Sequence, residues 1–245
     1  MSDGTSGTRV GTFPTETPST ARIGLFGGTF NPIHLGHLRA AEEVRETLAL
    51  EHVLFIPSAV PPHKVANPDH PIASAEARLA WVERAIDEQK AFSIDRTEVD
   101  RPGPSFLVDT LQAIREREIG RRRTVFILGE DAFAEMGEWR EPEMLFGLTD
   151  LAVMTRPPGQ LSRLEECIPE IVRDSFEFEE RGEHAVHKVA GTRIELVPIS
   201  AIDISSSGIR ERCRVGRSIR FLVPETIRES IEASGVYAPC PLGED

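Results

Sequence analysis

A chain of 245 residues with 40% hydrophobic content can bury one sizeable core, or one core with a small appended unit. Its net charge of −12, from 28 basic and 40 acidic residues, argues against a nucleic-acid-binding surface. No apolar run approaches the roughly eighteen residues of a membrane span, and the N-terminus has no secretory leader pattern. Cys167, Cys213 and Cys240 are odd in number and far apart, which speaks for a reducing, cytoplasmic setting without a disulfide framework.

Residues 1–20 are rich in Ser, Thr, Gly and Pro and read as a disordered extension. From residue 22 onward, short apolar runs alternate with helical patterns. Strands are expected over 22–26, 52–56, 92–95, 124–128, 151–154 and 193–197. Helices are expected over 35–49, 74–89 and 105–117, the second with Leu79, Val82 and Ile86 at helical spacing behind a Ser74 cap. Such alternation predicts an α/β fold with a doubly wound parallel sheet over residues 21–200. The segment 159–191 shows no clear period and reads as a helix followed by an insertion of unknown path. Two short helices over 204–215 and 224–234, with Pro224 at a start and Gly235 past an end, predict a small helical C-terminal lobe over 201–245.

The chemistry is concentrated at the first strand's end, in Ile23-Gly24-Leu25-Phe26-Gly27-Gly28-Thr29-Phe30-Asn31-Pro32-Ile33-His34-Leu35-Gly36-His37. Gly27 and Gly28 permit positive φ and close backbone approach, and a helix starting near Leu35 would aim open N–H groups at phosphate. His34 and His37, three apart on that first turn, share a face. A metal pair is disfavoured because no neighbour supplies the further ligands zinc needs. Neither the Walker loop nor the Gly-x-Gly-x-x-Gly fingerprint is present in this turn.

Three further groups stand near other strand ends. Pro61-Pro62-His63-Lys64 is a rigid turn presenting a cation, although a loop lysine alone is usually a solvated charge. Gly129 and Asp131 follow the fourth strand, where a carboxylate can accept from a ribose hydroxyl or simply cap a helix. Trp139 offers a flat face to a ring or fills the core. Ile204-Ser205-Ser206-Ser207-Gly208-Ile209-Arg210 opens a helix with hydroxyls, amides and a guanidinium suited to an anion, or with caps alone.

The opening stretch resembles the Gly-x-Phe-Asp/Asn-Pro-x-His-x-Gly-His signature of the nucleotidylyltransferase superfamily. The Pro-Pro-His-Lys loop, the Asp131-to-Trp139 spacing and the Ile-Ser-x-Thr/Ser-x-x-Arg element are similar to those of its bacterial-type nicotinate-mononucleotide adenylyltransferases, a likeness running over about 23–237. The resemblance implies a Rossmann-like nucleotidylyltransferase fold and direct adenylyl transfer from ATP to nicotinate mononucleotide, releasing pyrophosphate. It implies that Gly27, Gly28, Thr29, Phe30, His34 and His37 bind ATP, together with Gly129, Asp131, Ser205, Ser206, Ser207, Ile209 and Arg210. His34, His37, Lys64 and Arg210 would act as catalytic donors, and Lys64, Ser105, Phe106, Leu107 and Trp139 would line the acceptor site. Mg²⁺ would arrive bound mainly through ATP phosphates, with no metal site of the protein's own. No nucleic-acid or membrane partner is implied, and a homo-oligomer is allowed.

Pro104-Ser105-Phe106-Leu107-Val108-Asp109 stands where the family commonly shows Pro-Ser-Tyr-Thr-x-Asp, so two hydroxyls that help recognise nicotinate are missing. Asn31 likewise replaces a frequent Asp. Alternative readings are adenylyl transfer to nicotinamide mononucleotide or to pantetheine phosphate, a cytidylyltransferase, and a nucleotide-binding sensor without turnover.

Overall fold

The computed structural model describes residues 21–60, 71–117, 122–155, 163–179 and 182–238. The six expected strands form as β1 (Arg22–Gly28), β2 (His52–Pro57), β3 (Phe92–Ile94), β4 (Arg123–Gly129), β5 (Asp150–Thr155) and β8 (Arg193–Pro198). They lie in the order β3-β2-β1-β4-β5-β8, all parallel. Apolar runs buried on both faces are what a parallel sheet demands, because helices cover both sides. The pleat of β1 alternates accordingly, sending Ile23 and Leu25 to one core and Phe26 to the other.

Helices α1 (Leu35–Thr47), α2 (Ala75–Ile86), α9 (Ser206–Arg214) and α10 (Glu225–Ser234) lie on the Phe26 face, where Val44, Val82, Ile209 and Ile231 share one core. On the other face Val108 and Leu111 of α4 (Leu107–Glu116), Phe133 of α5 (Glu130–Glu135) and Phe146 of α6 (Pro142–Leu148) form the second. Ser74 caps α2 by accepting from the Ala77 N–H, and Gly235 ends α10 at a φ of 63°, as the sequence predicts. The helices 206–214 and 225–234 have no separate core. Trp81 of α2 donates to Ser230 and packs on Tyr237, so both helices close over the first face of the sheet.

The segment without a legible period adds to the sheet. It holds the short helices α7 (Leu164–Cys167) and α8 (Glu170–Arg173), then β6 (Phe176–Phe178) and β7 (His184–His187). β7 pairs antiparallel with β8, and β6 with β7, extending the sheet to eight strands. One further turn, α3 (Thr97–Asp100), follows β3. Cys167 and Cys213 are both unpaired. Among the described residues no helix is long and apolar enough to cross a membrane.

The chain runs outward from β1 to β3 on one side and from β4 to β8 on the other. That reversal leaves a crevice at the carboxyl ends of β1 and β4, where open α/β sheets take their ligands.

Candidate active site

Gly27 and Gly28 end β1 in extended backbone, and neither has a positive φ. The expectation of left-handed glycines is therefore corrected: these positions lack a side chain because of crowding. A Cβ on Gly27 would lie 3.0 Å from the Phe126 ring, and one on Gly28 3.0 Å from the Phe30 ring. Phe30 itself carries the positive φ, 46°, which turns the buried ring back under the strand end.

His34 is the N-cap of α1 and forms a reciprocal capping box with His37. Each Nδ1 accepts the other residue's backbone N–H at 3.3 Å. The rings stack with centroids 3.6 Å apart, so the shared face read from their spacing is realised. With Nδ1 accepting, the ring proton sits on Nε2, and both imidazoles are held as Nε2 donors. The same geometry corrects the picture of open helix amides. The Leu35 N–H goes to the Leu222 carbonyl at 3.0 Å and the His37 N–H to His34. Gly36 lets this happen, since a Cβ there would sit 3.0 Å from His34 Nδ1.

The serine element docks onto this turn. Ser205 caps α9 by accepting from Gly208 N–H at 3.1 Å, Ser206 Oγ donates to the Pro32 carbonyl at 2.8 Å, and Ser205 and Ser207 hydroxyls lie 3.3 Å apart. Ile209 is buried beneath, and Arg210 Nη1 donates to the Asn31 carbonyl at 2.9 Å. Arg210 Nε is buried with no partner among the described residues, a donor still owed an acceptor. Asn31 is a structural hub. Its amide donates to the Pro71 carbonyl at 3.0 Å, and its Oδ1 accepts from Ala73 N–H and the Tyr237 hydroxyl.

Arg78, invisible as a site residue in the sequence, lies 1% exposed under the turn. It donates to the carbonyls of Thr29, Ala73 and Ala59 at 2.7, 2.9 and 3.0 Å, joining the loops after β1 and β2 to the start of α2. Desolvation lowers its pKa from the usual guanidinium value, opposed by the charges of Tyr237 and Glu76, and its hydrogen bonds among the described residues all go to backbone carbonyls. Its signal in the sequence was an arginine flanking the apolar stripe of Leu79 and Val82.

Beside Gly27, Gly28 and Thr29 opens a cavity of about 340 Å³. Ser105, Phe106, Leu107 and Trp139 all line it, so the four described acceptor-site candidates converge on one cavity. Ser105 Oγ accepts from the Ala59 N–H at 3.1 Å, and Trp139 both packs on the second core and faces the cavity. Glu98 and Arg140 also line it and were not singled out by the sequence. Burial pushes the Glu98 carboxyl above the usual range, against the hydrogen bonds from Thr110 and Ser105. Gly129, not Asp131, is the N-cap of α5. Asp131 is exposed in its first turn, next to Ala132, which lines the cavity. Lys64 and residues 1–20 lie outside the described residues.

The Cytidylyltransferase-like family matches residues 25–212. A protein of Trichlorobacter lovleyi named a probable nicotinate-nucleotide adenylyltransferase is 45% identical over 218 residues, covering 89% of this chain and 100% of its own. One of the same name from Geobacter sulfurreducens is 39% identical, covering 89% and 98%. In fold, the chain is similar to the Plasmodium falciparum nicotinic acid mononucleotide adenylyltransferase complexed with NaAD, with a TM-score of 0.62 at 15% identity over 89% and 97% of the two chains. Since the likeness to the bacterial proteins runs from the glycine-rich turn through the serine element and beyond, the chain belongs to the nicotinate-nucleotide adenylyltransferase family.

Proposed function

We propose that the protein transfers the adenylyl group of ATP to the 5′-phosphate of nicotinate mononucleotide, forming nicotinate adenine dinucleotide and pyrophosphate in NAD biosynthesis. The observation that carries this reading is a shared wall. Gly27, Gly28 and Thr29 belong to the phosphate turn and also line the cavity that holds Trp139 and Phe106. A nucleotide on the turn and a flat ring in the cavity then meet end to end, with their phosphates between them.

An acceptor phosphate oxygen attacks the α-phosphorus of ATP in line. The bond from that phosphorus to the bridging oxygen breaks, and the pair of electrons leaves with pyrophosphate. No protein nucleophile is needed, so the protein's part is to position the two substrates and neutralise charge. His34 and His37 donate from Nε2 to phosphate oxygens, and Arg210, tethered by Nη1, offers its unpartnered Nε edge. Arg78 adds positive field from beneath the Thr29 carbonyl. Lys64 serves the acceptor phosphate, Gly129 and Asp131 the nucleoside end of ATP, and Trp139 stacks on the pyridine ring.

Among the described residues, no group of three or more His, Cys, Asp or Glu could hold a metal. The donors present fit an Mg²⁺ that enters on the ATP phosphates, where it would neutralise their oxygens. Pyrophosphate release tests the reaction, with ATP and a panel of nicotinate mononucleotide, nicotinamide mononucleotide and pantetheine phosphate. Release only with pantetheine phosphate, or only when CTP replaces ATP, would overturn it.

A further inference from the structure

The cavity is lined by two ionisable side chains, and they differ in what they can offer a ligand. Glu98 is 6% exposed and accepts from Thr110 Oγ1 at 2.8 Å, and burial disfavours its charged form. Arg140 follows Trp139 at the mouth, with half of its side chain exposed. Its Cζ lies 5.0 Å from the centre of the Phe106 ring. The nearest carboxylate atoms are on Glu141 at 3.5 Å and Asp109 at 3.7 Å, and Arg140 donates no hydrogen bond among the described residues. A guanidinium resting on an aromatic face is steadied by the ring and keeps its N–H edge for another acceptor. Phe106 and Leu107 bring no polar side-chain atom to this wall, so a polar ring substituent must find its partner elsewhere.

Resting on the reading of the cavity as the pyridine site, we propose that Arg140 is the residue that selects an acceptor ring bearing a carboxylate. It donates to the carboxylate of nicotinate mononucleotide and gains much less from the neutral carboxamide of nicotinamide mononucleotide. A charge-assisted bidentate contact is available only to the acid. Because Arg140 stands on the surface with loose ion pairs, its replacement leaves the fold intact.

The test compares kcat/KM for the two mononucleotides in the full chain and in Arg140→Ala, Arg140→Gln and Arg140→Lys. Arg140→Ala and Arg140→Gln should lower kcat/KM for nicotinate mononucleotide by about ten- to a hundredfold, leaving the nicotinamide value within about twofold. Arg140→Lys should recover part of the difference, since it keeps the charge and loses the fork. If the parent enzyme discriminates and Arg140→Ala discriminates equally, the inference fails while the proposed reaction stands. An equal fall for both substrates would also overturn it, reducing Arg140 to a support for the wall. If the parent enzyme releases pyrophosphate with neither mononucleotide, the proposed reaction fails and takes this inference with it.

Discussion

Both ends of the sheet carry arginines, and they use them in opposite ways. Where the strands begin, Arg22 reaches Glu195, and Arg123 grips Asp150 at 2.5 and 3.0 Å while the Arg193 N–H donates to the same carboxylate at 2.8 Å. Where the strands finish, Arg78 and Arg210 donate to backbone carbonyls alone among the described residues. A carboxylate fixes a guanidinium and cancels its charge, whereas a carbonyl fixes it and leaves the charge standing. At one end the guanidinium charge is therefore paired, although Arg123 and Asp150 also line a cavity of about 400 Å³ there. At the other end the charge is left unpaired, with Arg210 Nε still without an acceptor among the described residues. Arginine content would not have told the two ends apart; the identity of the acceptor does.

Substitutions at each end should separate activity from stability. His37→Ala should have the largest effect, lowering kcat for adenylyl transfer by about 10² to 10³, as for loss of a transition-state donor. Its loss of helix stability should stay at about 1 kcal/mol, the worth of a cap. Nearly full turnover in that variant would reduce the stacked imidazoles to a capping box. At the opposite end, Asp150→Ala should cost roughly 3 kcal/mol in urea unfolding, the low end for a broken buried pair because Arg123 is half exposed. It should leave kcat unchanged, and a parallel loss of kcat would break the division between the two ends.

Arg210→Gln should reduce kcat/KM for ATP by about ten- to a hundredfold, the worth of hydrogen bonds to a charged partner. An unchanged value would leave the serine element as a helix cap docked on Pro32. Tyr237→Phe removes the hydroxyl donated to Asn31 Oδ1 and should lower unfolding stability by about 1 kcal/mol. Because Asn31 also carries the Arg210 contact on its carbonyl, the same variant should raise KM for ATP more than KM for the acceptor.

Legibility in the sequence follows the same physical lines. The six parallel strands announced themselves because strands buried on both faces must be continuous apolar runs. β6 and β7 did not, since Phe176–Phe178 and His184–His187 are three and four residues long and partly exposed, too short for an alternation to register. The residues of the glycine-rich turn were legible by type, but their physics was not. Gly27 and Gly28 answer to the rings of Phe126 and Phe30, which are near only in space. Arg78 escaped notice because a helical arginine reads as solvated; only the convergence of three carbonyls from separate loops makes it a buried brace. Arg140 lay one residue past Trp139 and gained meaning only from the Phe106 ring beneath it.

The smallest expected effect is a slope, and it concerns the buried Glu98 carboxyl. Burial raises the Glu98 carboxyl above its ordinary value of 4.5. Between that value and the raised one, the folded protein holds a proton that the unfolded chain has released. Stability then falls as pH rises through the window, and above it the full cost of burying the anion is present. Glu98→Gln keeps an acceptor for Thr110 and removes the ionisation. Its unfolding free energy, measured between about pH 5 and 8, should decline less with pH than that of the parent and should not lie below it at the upper end. If the variant is less stable throughout, Glu98 is a favourably bonded anion, and the cavity holds a carboxylate as well as the Arg140 guanidinium.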